Sequence, residues 1–348
     1  AGAWNIADGG NSMGNISILA DNSLAIAGVD FSGNPSTISS WLVNYTGTPA
    51  GISLTAPTIN IAGGALIETQ SIGDFNLVSV SQSGNIDLIA ATSLNLDGTV
   101  STMTDLPFSL NFPGWIGITT PLLQLSDNSL VSVANFGFGD GGLIAVTHPD
   151  SLGISGGGTI QIDLATPISG GGNGGLLYFD SPIIDVTGTN IIAEVPDGPV
   201  STRNGGAIFF FAPNQLTLRS AFLASGSSSP GLGGDITLIS RDVLITESTH
   251  IFTSVGFSDI GAPDAGSIGI FGFDADPNFN TLRIDSGTTL AANGFFMGYG
   301  GRAGDIVMSN FRTIDIDSSI LSSSVSGGVW ENAGGQAGNI LMDATESI

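Results

Sequence analysis

The stretch "GGRAGDIVMSN" (300–310) returns as "GGQAGNILMDA" (334–344), and the two copies align on Gly304 and Gly338. In each copy a glycine, followed by a small or polar residue, opens an alternating apolar run. Openings in which a glycine leads into such a run occur eleven times, at intervals of 28 to 38 residues with a mean near 32. The opening glycines are Gly14, Gly51, Gly84, Gly114, Gly142, Gly175, Gly206, Gly234, Gly266, Gly304 and Gly338. A recurring period of this length indicates a repeat architecture.

Each repeat carries further short alternating runs after its opening. A second run is seen in "TLRIDS" (281–286), and a third in "HIFTSV" (250–255). Alternation with a period of two is typical of strands, and short strands bury their apolar faces when they coil and stack. The sequence therefore predicts an all-β fold, a parallel β-helix (β-solenoid) with three short strands per rung. We expect about 11 rungs of about 32 residues, forming one solenoid domain over 1–348.

Inward-facing positions follow from the alternation in the late repeats. On one wall we expect Ile236, Leu238, Ile268, Ile270, Ile306, Met308, Ile340 and Met342 to face inward, and on the next wall Leu282, Ile284, Ile314 and Ile316. Glycine at each opening suits a sharp corner, through either a positive φ or a close backbone approach. The repeated motif is thus predicted to have a structural role that needs no ligand.

The charge of the chain narrows the classes of partner. Asp and Glu number 30 against six arginines, no lysine occurs, and the net charge is −24. Such a chain repels phosphate backbones, so no nucleic-acid partner is expected. The absence of cysteine excludes disulfides and thiolate metal sites and fits an exported protein. No apolar run reaches the roughly 18 residues of a membrane helix, so no transmembrane segment is expected.

The repeats resemble a known family. The Gly-[Asp/Asn/Ser]-Ile openings, the second runs "TLRIDSG" (281–287) and "TIDIDSS" (313–319), a Ser-rich third run and the "GGxAG" return are similar to filamentous-haemagglutinin-type exoproteins of two-partner secretion. The likeness is to their haemagglutination-activity repeats, above all in cyanobacterial members, and it is clearest over 204–348. It implies a secreted right-handed β-helix that serves adhesion or surface structure. The family's N-terminal secretion domain is not visible in this sequence, so the resemblance implies a segment of a longer passenger.

The leading functional prediction is a non-enzymatic extracellular rod, either a cell-surface adhesin or a filament-forming β-helix. Its expected partners are other copies of the chain, head-to-tail or side-to-side, and a host or cell-surface glycan. Two alternatives from other classes stay open, a carbohydrate-binding module and a polysaccharide lyase. Lyases that resemble this architecture use Asp-bound Ca²⁺ and an Arg or Lys near the substrate. The arginines of this chain are Arg203, Arg219, Arg241, Arg283, Arg302 and Arg312, and pairing with nearby acids is the alternative role for them.

Other catalytic and cofactor motifs have little support. "GGGNGG" (170–175) fits G-x-G-x-x-G formally, but it leads into a strand-like run instead of a helix, so the anion site of a dinucleotide fold is missing. The only histidines are His148 and His250. No G-x-S-x-G motif frames a serine nucleophile, and two histidines make a zinc site implausible. No catalytic residue and no organic cofactor are therefore expected.

Acidic residues follow the second run in several repeats. Glu247, Asp285 and Asp317 come after it in three successive repeats, and Asp97 does so earlier. Stacked in register, such carboxylates would lie about 5 Å apart. Their repulsion invites a cation, a raised pKa or an intervening arginine. Calcium is the predicted cation, and a solvated acidic corner is the alternative.

Aromatic residues gather in the late glycine-rich stretches. Phe257, Phe295, Phe296, Tyr299 and Trp330 are predicted to form a platform for sugars or a contact strip for another rod, with packing of each loop on the shaft as the alternative. The remaining tryptophans, Trp4, Trp41 and Trp115, are dispersed, and we interpret them as packing residues.

Overall fold

The computed structural model describes residues 3–7, 15–28, 35–43, 49–72, 81–105, 111–136, 139–163, 174–195, 204–227, 232–255, 264–296, 301–327 and 335–348. Within them the chain is almost entirely β-structure, and the helical element is a 3-10 turn at Pro277–Phe279. The strands pair in parallel with the strands one repeat before and after.

In chain order, the strands are Ala3–Ala7, Ile16–Leu19, Ser23–Ile26, Thr37–Val43, Ile52–Ile72, Ser81–Gln82, Ile86–Asp105, Asn111–Phe112, Trp115–Thr119, Leu122–Leu125, Leu130–Asn135, Leu143–Thr147, Leu152–Ser155, Thr159–Asp163, Leu176–Asp180, Ile183–Thr187, Asn190–Val195, Ala207–Arg219, Phe222–Ser227, Ile236–Thr246, His250–Val255, Ile268–Gly272, Thr281–Ile284, Thr289–Phe296, Ile306–Ile316, Ile320–Ser322, Val325–Gly327 and Ile340–Ser347.

Three walls make up each rung. The first wall follows an opening glycine, as at 236–240; the second follows it directly, as at 242–246; and the third comes after a corner, as at 250–255. Ile236 pairs with Ile208 on one side and with Ile268 on the other, so one rung in this region spans 28 or 32 residues. The predicted parallel β-solenoid, with a spacing of about 32 residues, is therefore the fold observed.

An aliphatic ladder fills the inside of the first wall. Its members pair in register: Ile16, Ile52, Ile86, Ile116, Ile144, Leu177, Ile208, Ile236, Ile268, Ile306 and Ile340. From Ile52 to Ile306 each is at most 1% exposed. Full burial of such a side chain stabilises by about 1.5–3 kcal/mol before entropy is counted. The core is thus one continuous column along the rod.

The predicted inward positions are buried except Ile316, which is half-buried, and those of the last rung. Leu282, Ile284 and Ile314 are at most 2% exposed, as predicted for the second wall. Ile340 pairs with Ile306 but is 40% exposed. The cause is that no strand among the described residues stacks on its other side.

Close approach of successive rungs explains the opening glycines. A Cβ at Gly142 would lie 2.7 Å from the carbonyl oxygen of Gly114, and a Cβ at Gly266 would overlap the carbonyl oxygen of Gly234. Cβ atoms essentially never come this close to backbone atoms. Of the two predicted reasons for glycine, close approach is the one that applies, because these glycines do not adopt positive φ. We call the stacked residues Gly84, Gly114, Gly142, Gly175, Gly206, Gly234, Gly266, Gly304 and Gly338 the glycine ladder.

Small third-wall side chains face the glycine ladder from inside the rod. Thr69 donates a hydrogen bond from Oγ1 to the carbonyl oxygen of Gly84 at 2.6 Å, and Ser323 donates from Oγ to that of Gly304 at 2.7 Å. The Ser225 hydroxyl donates in the same way to Gly206. Buried hydroxyls need such partners. The Ser/Thr content of the third run therefore satisfies carbonyl groups that the glycine ladder leaves inside.

In the late rungs, the residue after the ladder glycine ties one rung to the next. Asp235 Oδ1 accepts the backbone N–H of Ser267 at 2.7 Å, Ser267 Oγ accepts that of Asp305 at 3.2 Å, and Asp305 Oδ1 accepts that of Asn339 at 2.7 Å. Each side chain thus pairs with the equivalent position one rung later. The Gly-[Asp/Asn/Ser]-Ile opening is a structural device that fixes register.

Candidate functional site

The acidic corner after the second wall contains part of the predicted carboxylate column. Asp285 and Asp317 occupy equivalent positions, since Ile284 pairs with Ile316 directly before them. The prediction was wrong for Glu247. Ile284 also pairs with Ile245, so Thr246 lies opposite Asp285, and Glu247 stands one residue further, in the turn, with φ +55°.

Protein groups already compensate the charge of Asp285. Its Oδ1 accepts a hydrogen bond from the Thr246 hydroxyl, and its Oδ2 lies 2.9 Å from Arg283 Nε. The hydrogen bond from Thr246 is the largest cause that holds the pKa of Asp285 below its usual value, with Ser286 and Arg283 adding to it against some desolvation. Arg283 also lies 4.0 Å from Asp315. Arg283 therefore compensates Asp285 and Asp315, and its ion pairs do not include Asp317, the next carboxylate of the column.

Asp97 lies apart from these residues, six rungs nearer the N-terminus and roughly 29 Å away at the spacing of stacked strands. Its carboxylate accepts hydrogen bonds from Ser126 Oγ at 2.7 Å and from the Gly63 N–H at 3.3 Å. It borders a groove of about 420 Å³ whose lining includes Asn60, Asn95 and Gln124. In the part of the chain that the structure describes, no three or more Asp, Glu or His side chains gather as metal ligands would.

Replacing Asp285 by asparagine is expected to lower the melting temperature by about 2 °C at neutral pH, because a half-exposed ion pair contributes at most about 1 kcal/mol. A carboxyl whose pKa is lowered by folding stabilises the fold above its unfolded pKa and loses that effect as the pH falls through the folded pKa. The difference from wild type should hence shrink below about pH 4. Calorimetric melting across pH measures it. Asp317→Asn is the matched control, since exposed Asp317 accepts only from Ser318; equal losses in both variants would contradict the assignment.

The arginines pair with carboxylates. All five that the structure describes lie within 4.0 Å of an acid: Arg219 with Asp185, Arg241 with Asp242, Arg283 with Asp285, Arg302 with Asp305 and Arg312 with Glu346. Arg203 lies outside the described residues. Pairing with nearby acids, the alternative role considered for these residues, is what the geometry supports.

The histidines and the glycine-rich motif have structural positions. His148 Nδ1 accepts the backbone N–H groups of Asp150 and Ser151, each at 3.3 Å. His250 starts a third-wall strand and stacks on Phe252, with ring centroids 5.8 Å apart. Gly175, the last residue of the glycine-rich motif, belongs to the glycine ladder, and residues 170–173 of the motif lie outside the described residues.

The aromatic residues predicted in late loops are only partly described. Phe257, Tyr299 and Trp330 lie outside the described residues. Phe295 and Phe296 belong to the third-wall strand Thr289–Phe296 and pair with 326–327, so placing them in a loop was wrong. Pairing with a strand of the next rung extends the third wall through both residues.

An apolar surface that the sequence pattern did not reveal covers the outside of the first wall. We call it the outer apolar face; it consists of Trp115, Leu143, Leu176, Tyr178, Phe209, Phe211, Ile239, Phe271 and Phe273. It spans five inter-rung steps, or about 24 Å. The available signal was the loss of alternation in "LLYFD" (176–180) and "AIFFFA" (207–212), which are apolar on both faces.

Two rings of the outer apolar face lie flat on their own strands. A Cβ at Gly117 would overlap the indole of Trp115, and a Cβ at Gly269 would overlap the ring of Phe271. Glycine thus makes room for each ring, and the opposite ring face is turned outward. Trp115 is 36% exposed, so its ring, which we interpreted from the sequence as packing, rests on its own strand and is also partly open to solvent. Asp87 pairs with Gly117, and burial raises the pKa of its carboxyl.

The other rings of the face stand upright and contact each other across rungs. Tyr178 stacks on Phe209 with ring centroids 5.7 Å apart and planes 13° apart, and Phe211 meets Phe273 edge-on at 5.5 Å. The Tyr178 hydroxyl is 3.0 Å from Asp180 Oδ2 and donates to it. Phe273 is 45% exposed. A contiguous aromatic surface of this size on the outside of a protein indicates a contact surface.

Comparison with known proteins does not add to the geometry. No protein-family model matches the chain, and neither a curated protein nor a solved structure matches it. Among the residues described, no helix is both long and apolar enough to cross a membrane.

Proposed function

We propose that this chain is a non-enzymatic extracellular rod, a cell-surface adhesin or filament-forming β-helix. The observation that carries the proposal is the in-register aliphatic ladder from Ile16 to Ile340. Its ten steps, at about 4.8 Å each, correspond to a body of roughly 50 Å with a constant core. Such a body separates its two ends and exposes extended lateral surfaces for contact. The extracellular location rests on the resemblance to secreted exoproteins and on the absence of cysteine.

The pairing of the arginines supports a non-enzymatic role over the lyase alternative. A lyase base beside an acidic sugar must approach the substrate proton. Each described arginine is instead engaged by a carboxylate, and an acidic polysaccharide would meet a net charge of −24. Asp87 and Asp180, the carboxylates beside the outer apolar face, lie three rungs apart, about 14 Å, whereas glycoside hydrolysis needs carboxyl groups within roughly 10 Å.

The outer apolar face favours a second function of the same rod, carbohydrate binding. Flat aromatic faces are suited to the C–H faces of sugar rings, because the negative ring face attracts polarised C–H groups. Contact between rods, head-to-tail or side-to-side, is the other proposed partnership. Both partnerships suit a rod whose repeats determine its length and whose surface residues determine what it binds.

A bead assay tests the proposed function. Beads coated with the chain should be retained under flow on polysaccharide-coated and cell surfaces, while beads coated with heat-denatured chain should not. Electron micrographs of the purified chain should show rods, or fibres if the rods join end to end. Appearance of unsaturated uronates or new reducing ends from a polysaccharide panel would contradict the non-enzymatic role.

Calcium binding by Asp97, Glu247, Asp285 and Asp317 stays a prediction. Asp285 and Asp317 are the neighbouring pair in register, and a shared cation would relieve their repulsion. Millimolar calcium chloride should then raise the melting temperature relative to the same buffer with a chelator, and Asp317→Asn should abolish the rise. A melting temperature indifferent to calcium in the wild type would refute the prediction.

A further inference from the structure

We propose that the outer face of the first wall binds an uncharged, β-linked polysaccharide at a shallow depression centred on Ala145. The depression is bounded by Trp115 on the preceding rung, Tyr178 on the following rung, and Leu143 and Thr147 on the same strand. We call it the Ala145 depression. This inference rests on the proposed adhesive function and assigns it a ligand class and a site.

The depression arises from the sizes of the residues in one outward column. Gly117, Ala145 and Tyr178 are register partners on successive rungs. The Trp115 indole lies over Gly117, and Phe209 covers one face of Tyr178. The other face of Tyr178 is therefore directed toward Ala145, whose methyl group is the side chain at that register position. The outward face of the Trp115 indole and the free face of Tyr178 thus lie on either side of Ala145, about 10 Å apart along the rod.

One edge of the depression is polar. Thr119, Thr147 and Asp180 are register partners on the three rungs that carry Trp115, Ala145 and Tyr178. The Tyr178 hydroxyl donates to Asp180 Oδ2, which orients both groups. Two hydroxyls and a carboxylate beside an apolar floor match a sugar, which has C–H faces and a rim of hydroxyl groups. Hydrogen bonds to a charged acceptor are the stronger ones, so Asp180 is the main polar anchor.

The size of the face argues against a second copy of the chain as the occupant. Five inter-rung steps by one five-residue strand give about 24 by 17 Å, or roughly 400 Å². A stable protein–protein interface buries about 800 Å² on each partner. Two copies would also bring charges of −24 together. A single extended chain lying along the rod suits this narrow strip better.

Charge also selects among polysaccharides. The depression has no basic side chain, and Asp180 lies on its rim with Asp87 one rung before Trp115. Uronates, sulfates and phosphates would be repelled. An uncharged glycan meets no such penalty, and its hydroxyls donate to the carboxylate. β-1,4-Linked chains in particular are extended and present flat C–H faces to a row of rungs.

Affinity gel electrophoresis tests the proposal with defined probes. In gels containing hydroxyethylcellulose, a soluble neutral β-glucan, wild-type protein should be retarded relative to a gel without polysaccharide. Trp115→Ala and Tyr178→Ala should each weaken binding at least about tenfold. Ala145→Gln fills the floor from the solvent side without removing packing, which provides a second test where truncation of an aromatic unfolds the rung. Phe279→Ala is the control, since Phe279 is 61% exposed but lies on the 3-10 turn.

Each outcome bears on the proposal. Retardation that is lost in Trp115→Ala and Ala145→Gln but kept in Phe279→Ala supports it. No retardation of the wild type, equal retardation in every variant, or stronger retardation in polygalacturonate would overturn it. A change of oligomeric state in Trp115→Ala, measured by light scattering, without any glycan binding would assign the face to rod association instead. Retention of coated beads under flow in the absence of glucan binding would leave the adhesive rod intact and refute only this site.

Discussion

Replacing Gly266 by alanine is expected to lower the free energy of unfolding by at least about 3 kcal/mol, because overpacking against backbone cannot be relieved by a side-chain rotation. A Cβ at Gly266 would overlap the carbonyl oxygen of Gly234 and lie 3.0 Å from the backbone of Gly233. The two rungs would have to separate there, and stability in stacked repeats is a sum of neighbour terms. The rod should then open locally, with faster amide exchange in the strands on either side.

A matched glycine outside the ladder separates this effect from a general intolerance of substitution. Gly64 has φ +72° and no atom within 4 Å of its Cβ position. Asparagine tolerates a left-handed conformation, so Gly64→Asn should cost less than about 1 kcal/mol. Urea unfolding and hydrogen exchange measure both variants. Similar midpoints for Gly266→Ala and wild type would show that the rungs adjust and that the ladder is not required.

The stacked pair of Phe179 and Phe210 inside the rod should give the other large effect. The rings lie 4.4 Å apart at 8°, and both side chains are fully buried. Truncation of either to alanine is expected to cost about 3–5 kcal/mol through lost burial and the cavity left behind. The double variant should cost less than the sum, by about 0.5–1.5 kcal/mol, because each single variant already removes the stack.

Phe209→Ala provides the control on the same strand. Phe209 precedes Phe210 and points outward, where it stacks on half-buried Tyr178. Its truncation should cost about 1 kcal/mol, since its removal leaves no internal cavity. Thermal melts of the three single variants and the double variant measure the differences. If Phe209→Ala and Phe210→Ala were equally destabilising, the inward and outward assignment of this strand would be contradicted.

The fold was predictable because every repeat carries the same geometric signals. The opening glycine and the alternating run recur in every copy, and a second run follows in most of them, so the walls and the inward residues are indicated many times over. Register failed at Glu247 for a physical reason. "DVLIT" (242–246) has three apolar residues in succession, so alternation allows two phases, and only pairing of Val243 with Leu282 selects one.

The surface was harder to predict from the sequence than the core. The environment of Trp115 depends on Gly117 beneath its ring and on Tyr178, which is 63 residues later but two rungs away. No local pattern contains that neighbourhood. Burial follows from alternation, which is a local sequence pattern. A surface depression is instead formed by residues that become neighbours only once the register between rungs is set.

The hydrogen-bonded series Asp235, Ser267, Asp305 and Asn339 makes the rod resemble a crystal in one dimension. Each of these four rungs plays the part of a unit cell, and the same contact joins each of them to the next. The cross-section of the rod is set by the residues of one rung, whereas its length is set only by the number of rungs that the sequence encodes. Duplication or deletion of a whole rung therefore changes reach without altering the lateral faces of the remaining rungs, so span and binding specificity are able to evolve independently.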